Sequence, residues 1–143
     1  METNLSGVFY FCRAVAPQMI ERRSGSIINI ASIDSILARS FSVPYNSSKA
    51  AMKMLTKVLA LEWAPYGVNV NGIGPGRFLT EMNPATRDDP ETRQRRAEEE
   101  IPLRRLADLR DLGLLAVYLA SPASDWMTGQ MLYLDGGVSA IHS

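Results

Sequence analysis

Three times along this chain, apolar residues at helical spacing give way to a short β-rich run. Leu5, Val8, Phe9, Cys12, Val15, Met19 and Ile20 predict a helix from about Leu5 to Arg22, with Pro17 a candidate kink. Ser24-Gly25 breaks it, and Ser26 to Ala31 reads as a strand covered on both faces. Ile33 to Val43 reads as a loop whose small and polar residues suit the wall of a site. Met52, Leu55, Leu59 and Trp63, joined by Ala51, Val58 and Ala60, predict a helix over Tyr45 to Trp63, ended by Pro65 and Gly67. Val68 to Ile73 is a second strand, broken by Gly74-Pro75-Gly76. Asp108 is placed to cap a helix running to about Ala120, with Leu112, Leu115, Ala116 and Leu119 on its apolar face and Pro122 beyond its end. Met131 to Leu134 is a third strand, stopped by Asp135-Gly136-Gly137.

Helix followed by strand, repeated, specifies an α/β layer with a parallel sheet, because parallel neighbours need a crossover. Three strands make a thin sheet with a long apolar edge. The expectation is a partial doubly wound sheet with flanking helices, residues 1–143 forming a single incomplete domain. If three βα units are missing, at roughly 30 residues each, about 90 residues belong beside it. Between Thr80 and Glu100 the chain is charge-rich and weakly apolar. It reads as a solvated loop and short helix, compatible with a mobile lid.

Composition excludes several classes. With 15 basic and 15 acidic residues the formal charge is zero, so nothing general favours nucleic acid or an anionic membrane. Cys12 is the single cysteine, which rules out an internal disulfide. His142 is the single histidine, leaving little material for a Ser-His triad or a His-based metal site; no metal is expected. No signal peptide is visible and no apolar stretch approaches the ~18 residues of a membrane span. A cytoplasmic protein without membrane or nucleic-acid partners is expected.

The chemistry-bearing residues cluster around the second helix. At i, i+4 spacing, Tyr45 and Lys49 share one helix face. A nearby cation favours phenolate over phenol, which makes a proton donor and acceptor usable near neutral pH. Ser32 stands at the end of the first strand. Taken singly, each residue has an ordinary reading: Asn4 a helix cap, Ser32 a strand end, Tyr45 and Lys49 surface residues.

Their order is not ordinary. Asn4-Leu-Ser-Gly-Val-Phe9, Ser32, Tyr45-Asn46-Ser47-Ser48-Lys49, Asn69-Val-Asn71-Gly-Ile-Gly-Pro75-Gly76-Arg-Phe-Leu-Thr80 and Asp135-Gly136-Gly137 together resemble the short-chain dehydrogenase/reductase family. The resemblance covers nearly the whole chain. It implies a Rossmann-like fold and hydride transfer between NAD or NADP and a small-molecule alcohol or ketone. The same resemblance implies that Tyr45 is general acid in reduction and general base in oxidation. Lys49 would assist Tyr45 and hold the nicotinamide ribose, Ser32 would bond the substrate oxygen, and Asn4 would hold a water leading from Lys49 to solvent. Pro75 and Gly76 match the turn that meets the nicotinamide end. Phe78 and Thr80 match positions that contact its carboxamide. Homo-oligomers of the full-length enzyme are implied, with the Asn4 and Tyr45 helices pairing between subunits. The family's T-G-x-x-x-G-x-G turn and its N-N-A-G motif are not among these residues, so the chain resembles the C-terminal part of such an enzyme. The residue that separates NAD from NADP lies in the absent part. The sequence looks closest to sugar-acid or ketoacyl reductases.

Two other readings stand beside this one. A fragment with the catalytic residues but no phosphate-binding half could serve only as an oligomerisation surface. Ser32 and Lys49 could form the dyad of a Ser-Lys hydrolase. An S-x-x-K motif would need serine at 46, where Asn46 stands, and the hydrolase leaves Tyr45 and the Pro75 to Thr80 segment unexplained.

Overall fold

A computed structural model describes residues 2–80 and 89–141. A single π turn, Glu2–Ser6, leads into α1 (Gly7–Glu21), β1 (Gly25–Ile30), a 3₁₀ turn (Ile33–Ser35) and α2 (Val43–Trp63). There follow β2 (Val68–Pro75), α3 (Pro90–Glu100), α4 (Leu109–Ala120), β3 (Met131–Leu134) and a short α5 (Val138–Ile141). The strands form one parallel sheet in the order β1-β2-β3. Ile30 lies opposite Ile73, and Pro75 opposite Leu134, so the C-terminal ends of the strands share one rim.

Side-chain alternation along β1 assigns the layers. Ile27 packs with Cys12 of α1, Leu59 and Ala60 of α2, and Val68 and Val70 of β2. Asn29 points the same way and bonds Thr56 of α2. Ser26 points the other way and donates to the Leu119 carbonyl of α4 at 2.8 Å. Helices therefore cover both faces, as in a doubly wound sheet. A second cluster, Ile33, Ala97, Ile101 and Val138, joins the loop after β1 to α3 and α5. Through Ala97 and Ile101, the charge-rich α3 is docked onto that loop.

The expected elements are present with shifted ends. α1 begins at Gly7, after the π turn, and runs through Pro17. Within the predicted apolar stripes, Phe9 and Val58 are instead exposed, at 39% and 42%. β2 runs on through Gly74 to Pro75, because the glycines opposite Met131 and Tyr133 leave room for those side chains. A Cβ at Gly72 would collide with Met131, and one at Gly74 with the Tyr133 ring. Asp108 caps α4 as expected, in a capping box with Asp111. No helix among the described residues is long and apolar enough to cross a membrane.

Candidate active site

The sheet rim carries the sequence-predicted residues. β1 delivers Ser32 just past its end, where it is buried and extended. Its Oγ accepts from the Asp34 N–H at 3.1 Å, which orients the hydroxyl. Among the described residues its O–H donates to nothing. α2 brings Tyr45 and Lys49 to the same rim on its first turns. The Lys49 Nζ lies 5.7 Å from the Tyr45 ring centroid, the i, i+4 pairing that the sequence implies. Tyr45 is partly exposed, and among the described residues its hydroxyl has no hydrogen-bond partner.

Lys49 is half-buried, and burial pushes its ammonium below the ordinary lysine range. Its Nζ donates to the Ile30 carbonyl at 3.0 Å. Ala31 N–H bonds Ile73 O, so alternation turns the Ile30 carbonyl away from β2, toward the open edge of the sheet. Lys49 thus satisfies an edge carbonyl and does not bond Ser32. A Ser32–Lys49 dyad is not formed in this arrangement.

Asn4 is in the π turn and caps no helix. Its Nδ2 donates to Ser48 Oγ at 3.3 Å, and Ser48 donates to the Tyr45 carbonyl at 2.7 Å. Asn4 and Lys49 both line a groove of about 370 Å³ along the β1 edge, with Gly7, Phe11, Ile30 and Met52. The bridging residue, Ser48, is almost fully buried and was not singled out by the sequence. The available signal was its small polar side chain three residues after Tyr45, within reach of a carbonyl one turn back.

Pro75 and Gly76 close β2 at the rim. Gly76 N–H bonds the Leu134 carbonyl, and a Cβ on Gly76 would lie 2.7 Å from the Asp135 Cα. Glycine is needed there for close backbone approach. Phe78 is buried, and its backbone bridges to Ala107. Thr80 follows, half-buried, at the end of the first described stretch. Burial pushes the neighbouring Asp135 carboxyl up, but bonds from Ser139 and Gly137 outweigh it and hold the group below the usual carboxylate range. A smaller cavity of about 220 Å³ lies between the Arg77 turn and α4. Its arginines are paired, Arg77 with Glu100 at 2.7 Å and Arg105 with Asp111 at 3.3 Å.

A family model described as enoyl-(acyl carrier protein) reductase matches residues 1–139. The chain belongs to the short-chain dehydrogenase/reductase family. It is 40% identical to a gluconate 5-dehydrogenase of Gluconobacter oxydans over 97% of its length and 54% of that protein. To a 5-keto-D-gluconate 5-reductase of Escherichia coli it is 42% identical, over 94% of this chain and 53% of the other. Among solved structures, a gluconate 5-dehydrogenase of Burkholderia cenocepacia in complex with NADP and tartrate superposes with a TM-score of 0.89 at 44% identity. That match covers 96% of this chain and 53% of the other. The chain spans about half the length of the relatives it matches.

Proposed function

We propose that this chain carries the catalytic residues of an NAD(P)-dependent oxidoreductase acting on a sugar acid, with Tyr45 as general acid and base. One observation carries the reading. Two hydroxyls whose protons have no acceptor among the described residues, Ser32 and Tyr45, stand at the C-terminal rim of a parallel sheet beside a half-buried lysine. That rim is where open α/β sheets bind their ligands.

The residues present fit the nicotinamide end of the cofactor. Lys49 and Tyr45 supply polar groups for a ribose, and the Pro75–Gly76 turn leads to Phe78 and Thr80 at the same rim. When bound, the reduced cofactor supplies the hydride. In reduction, Tyr45 gives its phenolic proton to the substrate oxygen as charge develops there. Ser32, held by the Asp34 N–H, donates to the same oxygen and stabilises that charge. Lys49, its Nζ 5.7 Å from the Tyr45 ring centroid, stands beside that phenol. Asn4, in the same groove as Lys49, holds the water through which the proton is replaced. Oxidation runs these roles in reverse.

The names of the relatives support a sugar acid, a polyol carrying a carboxylate, over a 3-ketoacyl substrate. Homo-oligomers are the expected assembly. The outward faces of α1 and α2 support this, since Tyr10, Phe11, Met54 and Leu61 are all exposed apolar surface. Tyr45→Phe decides the catalytic reading, measured with the chain joined to the cofactor-binding half that its relatives possess. A loss of roughly a hundredfold or more in turnover is expected. Turnover near that of the parent would sink the assignment.

A further inference from the structure

Ser32 and Tyr45 sit on different elements, yet both must meet one substrate oxygen. The link between them is Asn46. It follows Tyr45 directly on the first turn of α2, and its side chain reaches back to the loop after Ser32. Its Nδ2 donates both protons to backbone carbonyls of that loop, Asp34 at 3.1 Å and Leu37 at 2.7 Å. Ser35, Ile36 and Leu37 bond back to Ser32 and Ile33, so the segment is a closed turn that Asn46 grips as a unit. The Asp34 whose carbonyl Asn46 holds is the residue whose N–H orients the Ser32 hydroxyl.

The other end of the amide is also informative. Asn46 Oδ1 is buried with no hydrogen-bond partner among the described residues. A buried orphan acceptor is costly. It persists here on a side chain whose donor end is fully used.

We propose that Asn46 is a positioning residue: it fixes the turn 33–37 against α2 and so sets the Ser32 hydroxyl relative to Tyr45. The importance of that setting rests on the catalytic reading above, but the clamp is measurable without it. An aspartate at this position would have the same size and no donor, and would place a carboxylate against two carbonyls. Glutamine would overshoot both.

The test uses amide NMR of the chain itself. In the parent, the Asn46 side-chain protons should exchange at least about tenfold more slowly than those of Asn69, which bonds only an exposed carbonyl. In Asn46→Ala and Asn46→Asp, the Ser35, Ile36 and Leu37 amides should lose about tenfold in protection while buried Val70 keeps its own. The Asp34 amide reports on Ser32. Ser32→Ala should shift its resonance in the parent and leave it unmoved in Asn46→Ala. A general loosening of the fold would not erase that one response selectively. Equal side-chain exchange at Asn46 and Asn69, or an undiminished response of Asp34 in Asn46→Ala, would overturn the proposal. With the cofactor-binding half joined, Asn46→Ala should lower kcat at unchanged cofactor KM, and far less in a Ser32→Ala background. Equal losses in both backgrounds would also overturn it. If Tyr45→Phe proves harmless while the clamp is measured as expected, it is the catalytic reading that fails.

Discussion

Asn29 Nδ2 donates to Thr56 Oγ1 at 2.9 Å across the gap between β1 and α2. Both residues are buried, and Thr56 in turn donates to the Met52 carbonyl. Asn29 also receives a long contact from Cys12 Sγ at 3.7 Å. This polar chain ties the strand that delivers Ser32 to the helix that carries Tyr45 and Lys49.

Thr56→Val tests that tie. Valine has the shape of threonine but cannot accept from Asn29, so a buried amide loses its partner. The expected loss is about 1–3 kcal/mol of stability. Urea unfolding of the two chains measures it, and an unchanged midpoint would show that Asn29 finds another acceptor at no cost.

Helix α4 offers a simpler case. Asp108 Oδ1 accepts from Arg110 N–H at 2.7 Å, and Asp111 Oδ2 accepts from Asp108 N–H at 3.2 Å. Asp108→Ala should cost about 1 kcal/mol. In a domain of this size that lowers the melting temperature by about 3 °C. Calorimetry decides between that and no shift.

The cap was legible because helix starts have a local signature: an acceptor side chain just ahead of an apolar period. The three strands were legible for a similar reason, each being short, β-rich and bounded by breakers. What escaped the sequence depends on contacts between distant segments. The stripes containing Phe9 and Val58 mark the apolar faces of α1 and α2, but periodicity cannot tell which of their residues the fold buries. Gly72 falls inside the predicted strand, but Gly74 reads locally as a breaker. They are strand residues because Met131 and Tyr133, some 59 residues away in register, need the space. α5 has four residues, too few for any helical period. Of the site, Tyr45 and Lys49 could be paired from their spacing alone, and Ser32 and Asn4 came from the family pattern. Ser48 had only the weak signal of a small polar side chain one turn after Tyr45, and the carbonyls that Asn46 holds lie on a distant loop and leave no mark in a side-chain pattern.

Asp135 gives the fold a specific acid sensitivity. Its carboxylate accepts from the N–H groups of Gly137 and Ser139 at 2.9 and 2.8 Å, which holds its folded-state value below that of the unfolded chain. A group depressed in this direction contributes its stability above the unfolded value, about 3.9, and loses it as pH falls through the lower folded value. Melting temperatures of the parent should therefore fall more steeply below about pH 4 than those of Asp135→Asn. Parallel curves would show that the carboxylate contributes nothing through its charge.

Cofactor affinity is the sharpest test of what these residues hold by themselves. Dinucleotides are held mainly at the pyrophosphate, by backbone N–H groups of a glycine-rich turn and the helix that follows. No G-x-G-x-x-G occurs in the 143 residues. The segment Gly72-Ile-Gly74-Pro75-Gly76 is strand through Pro75, and β3 pairs along it, so its N–H groups cannot form a phosphate cradle. The nicotinamide end alone has candidate partners here, in Tyr45, Lys49 and the Pro75 to Thr80 turn. A few polar contacts at one end of a large flexible ligand barely offset the cost of ordering it. We expect dissociation constants of roughly a millimolar for NADH and NADPH, with no more than trace turnover. Positioning of the hydride-bearing carbon, on which catalysis depends, would be lost with the pyrophosphate grip. Calorimetric titration of the purified chain with each cofactor measures this directly. Sub-micromolar binding by a monodisperse sample would show that the rim residues suffice, and the assignment of affinity to the pyrophosphate end would then be wrong for this protein.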